Sequence, residues 1–381
     1  GFELLGKNEA AAKFKVPSCR VADVYREIDL IEEVSRIYGY DKITPVLPQI
    51  DEGANISFES RTLKKINELF LGSGFDEIVT SSLVGDNLYK TYMQKLDDNT
   101  SVKVKNPQSE DCTTLRQVLM PSLLNVVKYN FDNGQKNFRF YEIGKVFNIK
   151  SKPDENNTGV EEQRKLSGAI FGSVNNELWR DKTPVDFYTI KGVLENLFAR
   201  LNLTKRIVFA PFDENDSKTY EFMHPAQSAK ISLMGKNFTT LGYVGKIHPI
   251  LKDNMKFNQD LFVFELNLEA ILEAVSQTTV KYKKLPVFLP VTRDIAFAVD
   301  KDVTNETILK AIKKIADKNI FKGAKVFDIY QGEHIEAGKK SMAYRIILQD
   351  ENQTLTDEVI DKEMTKIRDG LVKSVAGLVL R

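Results

Sequence analysis

Cysteine, histidine and tryptophan are scarce in this 381-residue chain, at two, three and one copies. Cys19 and Cys112 lie far apart with no CxxC, so the pattern offers no disulfide framework, and both read as thiols of a reducing cytosol. Three scattered histidines fall short of the Cys/His ligand set that a structural zinc site takes. Long apolar runs are missing as well: none reaches the roughly 18 residues of a membrane span, and no signal-peptide pattern opens the chain. No GxGxxG follows an expected strand and no GxxxxGK[ST] occurs, which removes the dinucleotide fold and the P-loop. Net charge is nearly absent too, with 54 basic against 53 acidic side chains. That balance excludes a chain basic overall, but a local basic patch can hide inside it. The first residue is glycine rather than methionine, and the opening reads as a fragment or a processed form.

What is present is ordinary globular protein: 42% hydrophobic and 28% charged residues, with length for two to four domains. Three blocks follow one another. Residues 1–48 end in Pro45 and Pro48, before the polar stretch QIDEGANIS. Residues 55–275 are long and mixed. Residues 281–381 follow the polar break SQTTVKYKK, with Pro286 and Pro290 ahead of the first strand.

The last block carries the clearest pattern. Ile295, Phe297 and Val299 alternate as a strand. Thr304 can cap a helix with Ile308, Ala311, Ile312 and Ile315 on one face. A strand over Lys325–Tyr330 comes next, then one alternating through Met342, Tyr344, Ile346 and Leu348. Thr356, with Asp357 and Glu358 in the first turn, starts a second helix through Ile360, Met364, Ile367 and Leu371. GLVLR ends the chain as a short strand. The order β-α-β-β-α-β is the ferredoxin-like split motif.

The middle block begins with an amphipathic helix over Arg61–Phe70, with Leu63, Ile66, Leu69 and Phe70 inward and Gly72 and Gly74 stopping it. Strands around Glu77–Leu83 and Val102–Val104, a helix near Met120–Phe131 and a strand over Phe138–Phe147 follow. The pieces predict an antiparallel sheet flanked by helices, so the chain as a whole is α+β.

Four carboxylates gather in ADVYREIDLIEEVSRIYGYD. Asp29, Glu32, Glu33 and Arg36 share one helix face, Asp23 just ahead can swing toward it, and Gly39 ends the helix. Leu30, Ile31, Val34 and Ile37 take the other side. Hard oxygen donors at this density suit Mg²⁺ or Ca²⁺. On pattern alone a solvated acidic face near a helix N-terminus is the favoured reading, because the helix dipole favours negative charge there. His224 and His248, each before proline, have no triad partners and read as structural. Trp179, Asp181, Asp186 and Glu195 form no acid/base pair. Residues 281–381 hold 19 basic and 15 acidic side chains, a surplus of four, against a deficit of three elsewhere. Arg293, Lys310, Lys313, Lys314, Lys339 and Lys340 could track a phosphate backbone, or simply form a soluble face.

VPSCRVADVYREIDLIEEVSRIYGYDKI resembles the B5 domain of the phenylalanyl-tRNA synthetase β subunit family. SFESRTLKKINELFLGSGFDEIVTSSLV is similar to the start of that family's catalytic-like domain. NPQSEDCTTLRQVLMPSLL and FRFYEIGKVF resemble a degenerate class II motif 2 region, and DFYTIKGVLENLF and GYVGKIHPIL also fit. LPVTRDIAFAVD, FDIYQG and GKKSMAYRIILQDENQTLTDEVI resemble the ferredoxin-fold anticodon-binding domain that ends the family's chains. The resemblance covers essentially the whole chain in the family's order.

The resemblance implies a partial B5 domain over 1–48, an inactive class II synthetase-like domain over 55–275 and an anticodon-binding domain over 281–381. It implies an α2β2 phenylalanine–tRNA ligase in which a catalytic alpha subunit binds phenylalanine and ATP, while this chain scaffolds it and contacts tRNA(Phe). LFVFELNLEAILEA stands where a glycine-rich, arginine-bearing motif 3 would clamp ATP, so no complete active site is expected here. By position, Asp23, Asp29, Glu32 and Glu33 match carboxylates that hold Mg²⁺ in a site shared with alpha. RNA readers of this shape use an open sheet face with basic and aromatic side chains, which makes Arg293, Tyr330, Lys339, Lys340 and Tyr344 the tRNA candidates. The family's N-terminal tRNA-binding and editing domains have no counterpart in the sequence, so hydrolysis of mischarged tRNA is not expected. The resemblance implies a cytoplasmic location and no membrane partner. The rival reading is a stand-alone RNA-binding protein built from the same domains, without ligase activity.

Overall fold

The computed structural model describes residues 1–49, 53–155, 157–175, 179–180, 182–235, 238–282, 284–332 and 335–380. They form two compact units, Gly1–Thr278 and Thr279–Arg381. The polar break after residue 275 is where the first unit's last helix has ended and few apolar side chains remain to bury.

The first unit opens with an antiparallel ribbon, β1 (Glu3–Lys7) and β2 (Ala12–Lys15), then α1 (Glu27–Tyr38). Gly39 ends α1 with φ +103°, a conformation that a side chain would strain. The apolar side of α1 is largely open to solvent, with Ile31, Val34 and Ile37 all exposed.

Ser57 caps α2 (Phe58–Gly72) by accepting the Ser60 N–H at 3.0 Å. Ile66 and Phe70 are buried, with Leu63 and Leu69 packed beside them, as the periodicity predicts. Of the two glycines expected to stop the helix, Gly72 is its last residue and Gly74 turns the chain at φ +77°.

The connecting segment holds β3 (Asp76–Glu77), β4 (Leu83–Val84), α3 (Asp86–Thr91) and β5 (Thr114–Leu115). A single long strand over 77–83 does not form, and Lys103 makes only an isolated bridge to Thr114 where a strand over 102–104 is expected. These residues hold their backbone through loops instead of a ladder.

Next come α4 (Met120–Asp132), β6 (Phe138–Ile149), β7 (Val160–Phe171), α5 (Phe187–Arg200), β8 (Ile207–Pro211) and α6 (Glu214–Thr219). The unit closes with β9 (Met223–Leu233), β10 (Thr239–Ile247), α7 (Pro249–Asn254), β11 (Leu261–Asn267) and α8 (Leu268–Ser276).

Seven strands make one sheet in the order β3-β6-β7-β11-β10-β9-β8. Every pair is antiparallel except β3 with β6, which is parallel. Alternation along β11 sorts the two faces. Phe264 and Leu266 join the core under α2, α5 and α8, and Leu261 and Val263 join the core around α4. Glu265 falls on the α4 face, where it is the polar exception.

The second unit is β12 (Val291–Asp300), α9 (Asn305–Ile315), β13 (Phe321–Tyr330), β14 (Lys339–Leu348), α10 (Asp357–Ser374) and β15 (Val379–Leu380). The sheet order is β13-β14-β12-β15, all antiparallel, which is the ferredoxin-like arrangement expected. Thr304 caps α9 through its hydroxyl, which accepts the Thr307 N–H at 3.2 Å. One core takes Ile308 and Ile312 from α9, Ile360, Met364, Ile367 and Leu371 from α10, and the inward residues of β12 and β14. No helix among the described residues is long and apolar enough to cross a membrane.

Candidate functional site

The carboxylates around α1 are tied to arginines and to backbone. Arg20 reaches both oxygens of Asp23, Nε lying 3.1 and 2.8 Å away, and its Nη2 meets Glu33 at 2.5 Å. Arg36, one turn further along α1, takes the other Glu33 oxygen. Asp29 is buried at the start of α1, where its Oδ2 accepts the N–H groups of Tyr25 at 3.1 Å and Arg26 at 2.8 Å. That is the back half of a capping box, so helix chemistry explains Asp29 outright. Glu32 points to solvent.

These contacts set the protonation states. The Arg20 and Arg36 guanidinium groups hold the Glu33 carboxyl down to about 2. Arg20 holds Asp23 below the usual carboxylate range, and the two backbone N–H groups do the same for Asp29. All three are ionised at neutral pH, but their charge is already answered.

A guanidinium therefore stands between Asp23 and Glu33 where a cation would bridge them. Among the described residues no three Asp, Glu, His or Cys side chains converge to hold a metal ion. As arranged in this chain, Asp23, Asp29, Glu32 and Glu33 do not converge on one point.

The tRNA candidates of the second unit part company. Tyr344 is fully buried, stacks on Phe297 at 5.5 Å and donates its hydroxyl to Asn305 Oδ1 at 2.7 Å. It is a core residue, which corrects its assignment as a stacking platform. The reason is period two: Tyr344 shares a strand face with Met342, Ile346 and Leu348, the face that α9 and α10 cover.

Tyr330 is exposed at the end of β13, paired with Ser341 of β14. Lys339 and Lys340 begin β14. Lys339 pairs with Glu336 at 2.8 Å, and Lys340 donates to the Lys301 carbonyl at 2.8 Å. Arg293 reaches Asp357 at 3.1 Å, and Lys310, Lys313 and Lys314 are exposed on α9. Tyr330, Lys339 and Lys340 thus lie at one end of the β13–β14 ladder.

The α4 face of the large sheet carries a network that motif reading does not single out. Arg116 and Glu142 form an ion pair at 2.8 Å with their side chains 3% and 2% exposed. Thr80 donates its hydroxyl to Glu142 at 2.7 Å and accepts from Arg116 at 2.6 Å. Arg116 Nε also donates to the Lys145 carbonyl at 2.9 Å. Gly144 leaves the space: a Cβ there would lie 2.3 Å from Arg116 Nη2. Both charges sit within sequence stretches singled out for their resemblance, TLRQV and YEIGK, so the signal was an arginine beside an otherwise apolar run. With its hydrogen bonds directed inward, the network reads as structural.

The two histidines each accept a backbone N–H, His224 from Ala226 at 3.1 Å and His248 from Ile250 at 3.2 Å. Asp186 caps α5 and Glu195 pairs with Lys191, Trp179 is exposed, and Asp181 lies outside the described residues.

Three family models match the chain in succession. Residues 1–40 match the tRNA synthetase B5 domain, 43–268 the phenylalanyl tRNA synthetase beta chain CLM domain, and 286–381 the ferredoxin-fold anticodon binding domain. The phenylalanine–tRNA ligase beta subunit of Staphylococcus epidermidis is 38% identical over 100% of this chain and 45% of its own length. That of Bacillus subtilis is 34% identical over 93% of this chain and 42% of its own. The chain thus spans less than half the length of these relatives. A solved pyrrolysyl-tRNA synthetase of Desulfitobacterium hafniense is similar at 13% identity over 57% of this chain and 67% of that one, with a TM-score of 0.42.

Proposed function

From the premise that this chain belongs to the phenylalanyl-tRNA synthetase beta-chain family, we propose that it works as a non-catalytic part of phenylalanine–tRNA ligase. In this reading it scaffolds a catalytic alpha subunit in an α2β2 assembly in the cytoplasm and contacts tRNA(Phe) through its second unit. ATP and Mg²⁺ belong to the reaction of the whole enzyme, the ATP-dependent attachment of phenylalanine to tRNA. The observation that carries the proposal is the succession of three family matches along one chain.

The buried Arg116–Glu142–Thr80 network is read as structural, because these side chains hold one another. The Arg20-filled carboxylate cluster supports a structural role for the α1 region in the free chain. A stand-alone RNA-binding protein is the weaker reading, since the identity to ligase beta subunits runs through all three segments and not only the second unit.

The test is phenylalanine-dependent ATP–pyrophosphate exchange. The purified chain is expected to give none, and the chain combined with an alpha subunit to form a stable complex that charges tRNA(Phe). Exchange by the chain alone would overturn the division of roles.

The tRNA interaction is tested separately. Lys339→Ala/Lys340→Ala is expected to weaken tRNA binding across sequences and to make its log–log salt slope shallower, by about one for each phosphate no longer neutralised. Filter binding across a salt series measures it, and an unchanged slope returns these lysines to the ion pair and carbonyl hydrogen bond seen in the free chain.

A further inference from the structure

Two His-Pro turns meet at one corner of the large sheet. His224-Pro225-Ala226 lies at the start of β9, and His248-Pro249-Ile250 leads into α7. In each, the imidazole Nδ1 accepts the N–H of the residue after the proline, Ala226 at 3.1 Å and Ile250 at 3.2 Å. The strands bring the turns together: Met223 pairs with Ile247, and the His248 N–H donates to the Phe222 carbonyl at 2.7 Å. Gly245 already pairs with Ser228, so residues 224–227 bulge out opposite Lys246 alone. The buried Ser228 hydroxyl closes that bulge by donating to the His224 carbonyl at 2.7 Å.

The charges around this corner favour neutral imidazoles. Lys246 of β10 and Lys252 of α7 both reach Asp260, at 2.6 and 2.7 Å, just ahead of β11. Two ammonium groups thus share one carboxylate, which leaves the corner with a net positive charge. Burial holds His224 below the ordinary histidine range, and Lys246 and His248 push the same way, against Asp260 alone.

An accepting Nδ1 fixes the neutral tautomer with its proton on Nε2, so a second proton must enter at Nδ1. There it would face the Ala226 or Ile250 N–H, donor against donor, and the bond is lost. The bulge then loses its inner tie, and α7 loses the side chain that caps it. Leu251 of α7, with Met255 and Phe257 just after it, is buried in the core around α4, so the turn anchors an apolar segment.

We propose that the His224 and His248 turns form a pH-sensitive latch, closed while both imidazoles are neutral and opened by their protonation. A closed-state histidine held below its ordinary value of about 6.5 binds fewer protons than the open form. The latch therefore contributes fully above about pH 6.5 and weakens as pH falls through that value, levelling off once the closed form itself protonates.

Hydrogen-exchange mass spectrometry of the full chain, corrected for the intrinsic pH dependence of exchange, tests the latch. From about pH 7.5 to about pH 5.5, protection in the peptides holding Ala226 and Ile250 is expected to fall by about tenfold or more. The ladder at Lys230 and Tyr243, where β9 and β10 pair further along, is expected to keep its protection. Asparagine also accepts a backbone N–H ahead of proline but does not titrate. His224→Asn/His248→Asn is therefore expected to hold its protection within about twofold over the same range. Equal protection of the wild type at both pH values overturns the proposal, as does an equal loss in the asparagine variant. Nitrogen NMR of the assigned wild-type imidazoles keeps the proposal testable if that variant does not fold. Both turns are expected in the Nε2–H tautomer at neutral pH, and a proton on Nδ1 of either overturns the latch. No alpha subunit enters the readout, so the outcome is independent of the scaffold reading.

Discussion

Replacing Arg116 with methionine is expected to destabilise the first unit by about 3–5 kcal/mol, the cost of leaving one partner of a buried ion pair uncompensated. Glu142 would then keep only the Thr80 hydroxyl at 2.7 Å and the Thr80 N–H at 3.3 Å, in a site where its side chain is 2% exposed. Such a carboxylate either stays charged at high desolvation cost or takes up a proton. Urea titration followed by circular dichroism reads the loss as a lower midpoint with little change of slope.

The partner experiment gives the opposite sign. In Arg116→Met/Glu142→Leu both charges leave together, and much of the stability is expected to return, because a buried pair seldom outperforms well-packed apolar groups. Equal losses in the single and the double variant would show that packing around Gly144, not charge, governs this face.

Phe70→Ala on α2 is expected to cost a similar amount, about 3–5 kcal/mol, through reduced burial and the cavity left behind. Phe70 is fully buried at the meeting point of three rings. It stacks on Tyr141 at 4.9 Å and on Phe264 at 5.7 Å, and meets Phe75 edge-on at 5.2 Å. No single neighbour can move into the gap, since Tyr141 and Phe264 are fixed in adjacent parts of the sheet. Ile37→Ala on α1 is the control: Ile37 is 83% exposed, and its removal is expected to change stability in the free chain by less than about 0.5 kcal/mol. A large effect at Ile37 and a small one at Phe70 would invert the burial pattern described for these two helices.

The contrast between Ile37 and Phe70 marks how far periodicity reaches. Both lie on the apolar side of an amphipathic helix, and the pattern treats them alike. Only Phe70 finds a sheet to pack on within the described residues. Tyr344 shows a related limit. The alternation Met342, Tyr344, Ile346, Leu348 already assigns it to the covered face, yet its residue type suggested a stacking platform for RNA. The covered face decided the matter, since helices fill the space a base would need. At α1 the spacing put Asp29, Glu32 and Glu33 on one face, while Asp29 went to backbone N–H groups, Glu32 stayed in solvent and Glu33 met Arg20. That arginine lies thirteen residues before Glu33 and ahead of the helix, and only the chain's turn brings the two together.

By itself the sequence determined the α+β class, the split βαββαβ order of the second unit, the inward residues of α2, α9 and α10, and the family. These rest on local period and on runs of residues that stay adjacent in the chain, so folding cannot rearrange them. The tertiary structure alone decided that Arg116 and Glu142 meet, that a guanidinium occupies the carboxylate cluster, and that the His224 and His248 turns share one corner of the sheet. Each of those pairs is distant in the chain. Its contact exists only because strand register and helix packing fix which faces meet, and burial then turns ordinary surface charges into groups that must find a partner.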